Sequence, residues 1–146
     1  MYPVDYLIQK RISGPLLDRI DIHLEVPEVG YRDLVAGPPE EFSAAIRERV
    51  ERARAAQRDR FRRRPGIYAN AHMSARDVRS HCRLDPPVEA LLRDAVNRLG
   101  LSARGYHRVL KIARTIADLA GAAELTVAHV GEAIQYRTLD RRRAAA

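Results

Sequence analysis

One cysteine, Cys82, stands among the 146 residues, so no disulfide can form within the chain. There is no tryptophan and there are only two phenylalanines. A core must therefore be built from Ala, Leu, Val and Ile, side chains that suit helix packed on helix. No apolar run approaches the length of a membrane span. The N-terminus lacks a basic region followed by an apolar one, which excludes a signal peptide. The expectation is a soluble, cytoplasmic protein with no membrane partner. Repeats at a fixed period are absent. Metal ligands are also sparse. His81 and Cys82 are adjacent, His72 lies in a connector, and no C-x-x-C is present. Adjacent ligands rarely reach one ion, so no metal site is expected. No spacing argues for a Ser-His-Asp set.

What is present in excess is positive charge: 26 Lys and Arg against 19 Asp and Glu, a formal net charge of +7. An anionic partner, nucleic acid or nucleotide phosphate, fits this balance. Arginine-rich solvated helix faces would give it equally well.

Along the chain, residues 6–12 read as a short helix or strand. Ser13, Gly14 and Pro15 punctuate a loop, and Pro15 suits the first turn of a short helix carrying Leu16 and Leu17. From Ile20 the pattern has period two. Ile20, Ile22, Leu24 and Val26 fall on one side and Asp21, His23 and Glu25 on the other, and Pro27 ends the strand. His23 is thereby expected in solvent or paired with an acid. Residues 28–39, with Gly30, Gly37, Pro38 and Pro39, read as a loop and a domain boundary, dividing the chain into 1–39 and 40–146.

Residues 40–62 are expected to form a long helix with a narrow apolar stripe of Phe42, Ile46, Val50, Ala53 and Phe61. Acids lead and bases follow, which complements the helix dipole. Its basic end, Arg62, Arg63 and Arg64, could meet nucleic acid. Glu48, Glu51 and Asp59 favour instead a solvated helix with i,i+4 pairs. Ser74, with Asp77 three residues on, caps a short helix to about residue 83. Asp85 caps the next, with Pro86 and Pro87 in its first turn and Gly100 closing it. Ser102 caps a helix over 103–120, with Tyr106, Val109, Leu110, Ala113, Ile116, Ala117 and Ala120 as its buried stripe. Arg104, Arg108 and Lys111 share a different face. Gly121 ends it, and Thr126 caps a last helix to about residue 137 with Val127, Val130, Ala133 and Ile134 inward. Residues 74–137 thus form a four-helix unit. Arg141, Arg142 and Arg143 belong to a frayed tail.

Three segments carry a family resemblance. They are Ser13-Gly14-Pro15-Leu16-Leu17-Asp18-Arg19-Ile20-Asp21, the run from Ser102-Ala103-Arg104-Gly105-Tyr106-His107-Arg108 through Leu119, and Glu132-Ala133-Ile134-Gln135-Tyr136-Arg137. In this order they resemble the C-terminal part of magnesium-chelatase-like AAA+ ATPases of the ComM (YifB) group. The likeness spans most of residues 6–141. One departure is plain: the chain has no G-x-x-x-x-G-K-[ST] loop and no hydrophobic strand ending in paired acids. The resemblance therefore implies a mainly α piece of a longer protein. It would hold one strand of the ATPase core, then a long helix and a four-helix lid bundle.

For function, the resemblance implies ATP hydrolysis with Mg²⁺ in a ring, usually hexameric, acting on DNA by remodelling or branch migration. This chain alone would be inactive, with no ATP or Mg²⁺ bound. Arg19 would be the arginine finger, reaching the γ-phosphate held by a neighbouring subunit. Read from spacing alone, Arg19 would pair with Asp18 or Asp21. Arg104 would be the sensor-2 arginine contacting nucleotide phosphates, with Arg108 the alternative; otherwise both are surface arginines. The rival reading is a stand-alone basic helical module. Residues 102–119 would then be a DNA recognition helix presenting Arg104, Arg108 and Lys111.

Overall fold

The computed structural model describes residues 16, 19–24, 28, 31, 35 and 41–137. The element expected at 6–12, the turn at Pro15, most of residues 28–39 and the arginines at 141–143 lie outside them; Tyr31 and Val35, expected in a loop, are helical. Five α-helices follow in order among the described residues: α1 Ser43–Phe61, α2 Ala75–His81, α3 Pro86–Leu99, α4 Ala103–Leu119 and α5 Val127–Gln135. A short 3₁₀ turn, Asn70–His72, sits between α1 and α2.

Local chemistry sets the helix starts. Ser74 and Asp77 form a full capping box on α2. Asp85 accepts the Val88 N–H at the start of α3, whose first turn holds the two prolines. Ser102 accepts the Gly105 N–H of α4, and Thr126 accepts the His129 N–H of α5. Two ends need glycine for its access to positive φ. Gly100 after α3 has φ 61° and Gly121 after α4 has φ 68°.

Helix α4 is the central element. Val109, Leu110, Ala113 and Ala117 are buried against Val78, Cys82, Val88, Leu92, Val130 and Ala133 from the helices around it. The inward set expected for α5 holds at Val130 and Ala133, whereas Val127 is exposed. The bundle also gains half of α1. Ala53, Gln57 and Phe61, four residues apart on one face, are buried, while residues 43–52 are exposed. The stripe expected along the whole helix is therefore covered only in its second half. Phe42, Ile46 and Val50 continue it into solvent. Gln57 fills the gap between Ala53 and Phe61, and its Oε1 accepts the Asn70 backbone N–H at 3.2 Å.

The strand expected from Ile20 is not formed. Residues 20–24 are irregular, and no strand occurs among the described residues. An alternating sequence becomes a strand only when a ladder partner satisfies its backbone. Here the backbone is satisfied by the end of the bundle instead. The His23 N–H donates to the Tyr136 carbonyl at 2.9 Å. The Arg137 guanidinium donates to the Ile20 carbonyl. His23 is buried, not solvent-facing, while Ile22 and Leu24 are exposed, Leu24 at 71%. Ile22 and Leu24, although exposed, border an apolar groove with Ile112, Ile116 and Leu119 of α4, and Asp21 is exposed beside buried His23, so the alternation does not divide into an inner and an outer side.

Candidate functional site

The first half of α4 borders a recess of about 390 Å³. Arg104, His107, Arg108 and Lys111 line it from the helix, Ala71, Met73 and Ala75 from the connector and α2, and Asp21 from the clamped segment. The Ser102 cap fixes where the helix begins, at 3.0 Å from Ser102 Oγ to the Gly105 nitrogen. That start brings 104, 108 and 111 onto one side. Arg108 is held in an ion pair, with its side chain 15% exposed. Its Nη1 lies 2.9 Å from Asp21 Oδ1, on a side chain 57% exposed. Lys111 Nζ donates to the Ala71 carbonyl at 2.9 Å. Burial pulls the Lys111 pKa below its ordinary value, and the Asp21 charge works against that pull. His107 donates through Nδ1 to the Ala103 carbonyl at 2.8 Å, which leaves Nε2 for the recess. Arg104 is exposed in the first turn of the helix.

Three basic side chains and a histidine thus face one carboxylate. Such a rim recognises anions with several oxygens, above all phosphates, which arginine meets with a planar fork of donors. Among the described residues that line it there is no serine, threonine or cysteine. Cys82 is buried and its thiol is pushed up to about 11 by burial. Among the described residues no three His, Cys, Asp or Glu side chains gather as a metal site.

The structure brings Arg104 and Arg108 together but leaves Arg19 apart from the recess. Arg19 is exposed in a turn, with its backbone N–H donating to the Leu16 carbonyl at 3.0 Å. The Asp21 partner that spacing offered to Arg19 is engaged by Arg108. Asp18 lies outside the described residues. Arg62, Arg63 and Arg64 line a separate surface recess with Tyr68 and Pro65. Within it Arg64 pairs with buried Asp77 at 2.9 Å, and Arg62 pairs with Asp59 at 3.5 Å.

Reading the sequence missed a buried polar network at the other end of α4. Arg60 of α1 forms a two-pronged pair with Asp118, through Nη1 at 2.8 Å and Nη2 at 2.5 Å. Asn70 donates to the same carboxylate at 2.8 Å, and Arg114 Nε does so at 3.1 Å. Arg114 also donates to the carbonyls of Ala122 and Ala123, closing the α4–α5 connection. Burial works to raise the Asp118 pKa. The bonds from Arg60 and Asn70 and the charges of Arg60 and Arg114 outweigh it, so the carboxyl is held below its ordinary value. A signal was available. Positions 114 and 118 flank 110, 113 and 117 on the apolar stripe, and an opposite-charge i,i+4 pair inside a buried stripe marks an internal ion pair.

The part of the chain that builds this central helix, its cationic rim and its polar staple matches a known group. Residues 40–137 match the magnesium chelatase, subunit ChlI C-terminal family, and the chain belongs to it. Among its relatives is competence protein ComM of Haemophilus influenzae, 39% identical over 132 residues, covering 90% of this chain and 25% of that protein. The protein YifB of Escherichia coli is 38% identical over 135 residues, covering 90% and 25%. A Mycobacterium tuberculosis relative is 35% identical over 133 residues, covering 91% and 26%. The chain spans about a quarter of the length of these relatives. No helix among the described residues is long and apolar enough to cross a membrane.

Proposed function

We propose that the chain is the lid-bearing C-terminal portion of a ComM-like AAA+ ATPase, a cytoplasmic ring motor, hexameric when full length, that remodels DNA. The observation that carries this reading is the recess at the start of α4. Arg104 and Arg108 meet there, where the family resemblance expects a nucleotide-sensing arginine. Arg104 is the sensor-2 residue and Arg108 its alternative. Arg19, exposed on the segment clamped to the lid, is the arginine finger acting on a neighbouring subunit.

ATP with Mg²⁺ supplies the phosphoryl group in the full-length protein. The rim fits its phosphates, since Arg104, Arg108 and Lys111 bring three cations to it. Mg²⁺ needs oxygen ligands. Its carboxylates would come from the part of the polypeptide that carries the ATP cradle. This chain by itself is expected to turn over no ATP. DNA as the substrate draws on the net charge of +7 and on the exposed Arg62 and Arg63. The recognition-helix alternative needs an open face at 104, 108 and 111. Arg108 and Lys111 are instead engaged by Asp21 and Ala71.

The test is made in the full-length motor. Arg19→Ala should leave ATP binding nearly intact and lower kcat by roughly a thousandfold or more, the scale of a lost arginine finger. Mixing it with subunits defective only in their ATP cradle should restore part of the activity. Wild-type turnover in a folded, assembled Arg19→Ala protein would return Arg19 to a surface role.

A further inference from the structure

We infer that Asp21 is a tethered competitor for the anion that the α4 recess binds, so that filling the recess is felt at the segment carrying Arg19. The inference rests on the reading of the recess as a phosphate site and adds to it a regulating residue.

The geometry is specific. Among the described residues Asp21 is the one acid lining the recess, and its carboxylate sits 2.9 Å from Arg108 Nη1. A carboxylate and a phosphate oxygen make the same demand on a guanidinium, so they compete for the same fork of donors. The two partners differ in freedom. Arg108 is held within the bundle with its side chain 15% exposed, whereas Asp21 is 57% exposed and can leave without desolvating anything new. Asp21 follows Arg19 by two residues, in a segment whose backbone is fixed on both sides of it. Arg137 holds the Ile20 carbonyl, and the Tyr136 carbonyl holds the His23 N–H. Displacing the carboxylate therefore changes the segment locally, between two fixed points, and does not undock it. Arg19 lies two residues before Asp21, next to the first of those points, so the segment whose carboxylate is released is the one that carries it. Phosphate in the recess and the segment that carries Arg19 then compete for the Arg108 guanidinium.

The test is titration of the 146-residue protein with inorganic tripolyphosphate, followed by calorimetry and by amide NMR. Wild type, Asp21→Asn, Arg108→Ala and the double variant are compared. Asp94→Asn on α3, which removes an acid paired with Arg98 on another face, controls for net charge. Asp21→Asn should bind on the order of tenfold more tightly than wild type, and Asp94→Asn should match wild type, since a distant exposed charge is largely screened. Arg108→Ala should bind weakly, and Asp21→Asn should bring no gain in that background. The amide of His23 should shift on titration in wild type and much less in Asp21→Asn. Equal binding by wild type and Asp21→Asn would overturn the role of Asp21 while leaving the phosphate site standing. A gain that persists in Arg108→Ala would overturn it as well. Absence of binding in both wild type and Asp21→Asn would overturn the phosphate site itself and the inference with it.

Discussion

The two ends of helix α4 carry similar residues to opposite effect. At the C-terminal end, Arg114 and Asp118 are 2% and 5% exposed and share their hydrogen bonds with Arg60, Asn70 and two loop carbonyls. At the N-terminal end, Arg104, Arg108 and Lys111 border a recess open to solvent and meet one acid. Helical geometry accounts for the split. Position 114 lies beside the stripe of Leu110, Ala113 and Ala117, whereas 104, 108 and 111 turn away from it. A buried cation must be fully paired or the fold loses stability. A cation at a rim is free to trade partners. The inner cluster is thus architecture, and the outer one is available for binding.

The largest expected effect breaks the inner cluster. Asp118→Ala would leave the Arg60 and Arg114 guanidinium groups in the interior with their main acceptor gone. A cost of about 3–5 kcal/mol is expected from truncating one partner of a buried ion pair. Urea unfolding should show it as a large fall in midpoint. Binding of polyphosphate at low temperature, where the variant is still folded, should be little changed. A loss below about 1 kcal/mol would mean that the staple is dispensable, and the contrast between the two ends would fail.

Acid should act on the same cluster by protonation. Asp118 and Asp77 are both held below the ordinary carboxylate value of 3.8. For Asp77 the main cause is hydrogen bonding from Ser74. Groups with depressed folded values contribute stability that is present above the ordinary value and is lost as pH falls through the folded one. His81 adds a shallower loss that begins earlier. Burial and the Arg60 charge hold it below its ordinary 6.5, so the unfolded chain takes up the proton first as pH drops. Unfolding midpoints should therefore decline gently below pH 6.5 and steeply below about 3.8. Asp118→Ala should flatten the steep part.

A smaller effect is expected at the cap between the two regions. Ser102→Ala removes the acceptor of the Gly105 N–H and should cost about 1 kcal/mol. It should also loosen the recess, because the cap sets where Arg104 stands. Ser102→Asp should restore stability, since aspartate caps equally well and suits the helix dipole.

These predictions follow the division between what the sequence disclosed and what it hid. Ser74, Asp85, Ser102 and Thr126 were legible as caps, and Gly100 and Gly121 as helix ends, because each acts on backbone within a few residues. The apolar stripe of α4 was legible for the same reason, except that Ala120 at its end is exposed. The network was not. Arg60 and Asp118 stand 58 positions apart, and nothing in either's neighbours names the other. Gln57 was hidden by its polarity, which concealed its place on the buried face of α1. The segment at 20–24 shows a further limit. Its alternation is real, but a strand requires a partner, and here Tyr136 and Arg137 supply the hydrogen bonds and His23 is buried. At the site, spacing along α4 puts Arg104 and Arg108 on one face, whereas spacing offers Asp18 or Asp21 to Arg19 and cannot show that Arg108 reaches Asp21 across the fold.

The smallest effect on stability sharpens the comparison most. Arg104 is exposed, and the bundle asks nothing of it beyond a helical backbone, for which alanine is the better former. Arg104→Ala should therefore change the unfolding free energy by no more than about 0.5 kcal/mol, the range of ordinary surface substitutions. Its effect on anion binding should be of another order. Removing one guanidinium from a rim of three basic side chains deletes a fork of donors that Lys111, already bound to the Ala71 carbonyl, cannot replace. Tripolyphosphate affinity should fall severalfold and its salt dependence should become shallower, since fewer charges are neutralised on binding. Arg104→Lys should recover the salt dependence but not the full affinity, because a point charge restores attraction without the planar geometry. Arg114→Ala should do the reverse, with a marked loss of stability and near-normal affinity in the folded fraction. If Arg104→Ala destabilised the chain as Arg114→Ala does, or left binding untouched, the rim would be another piece of architecture and α4 would carry no site.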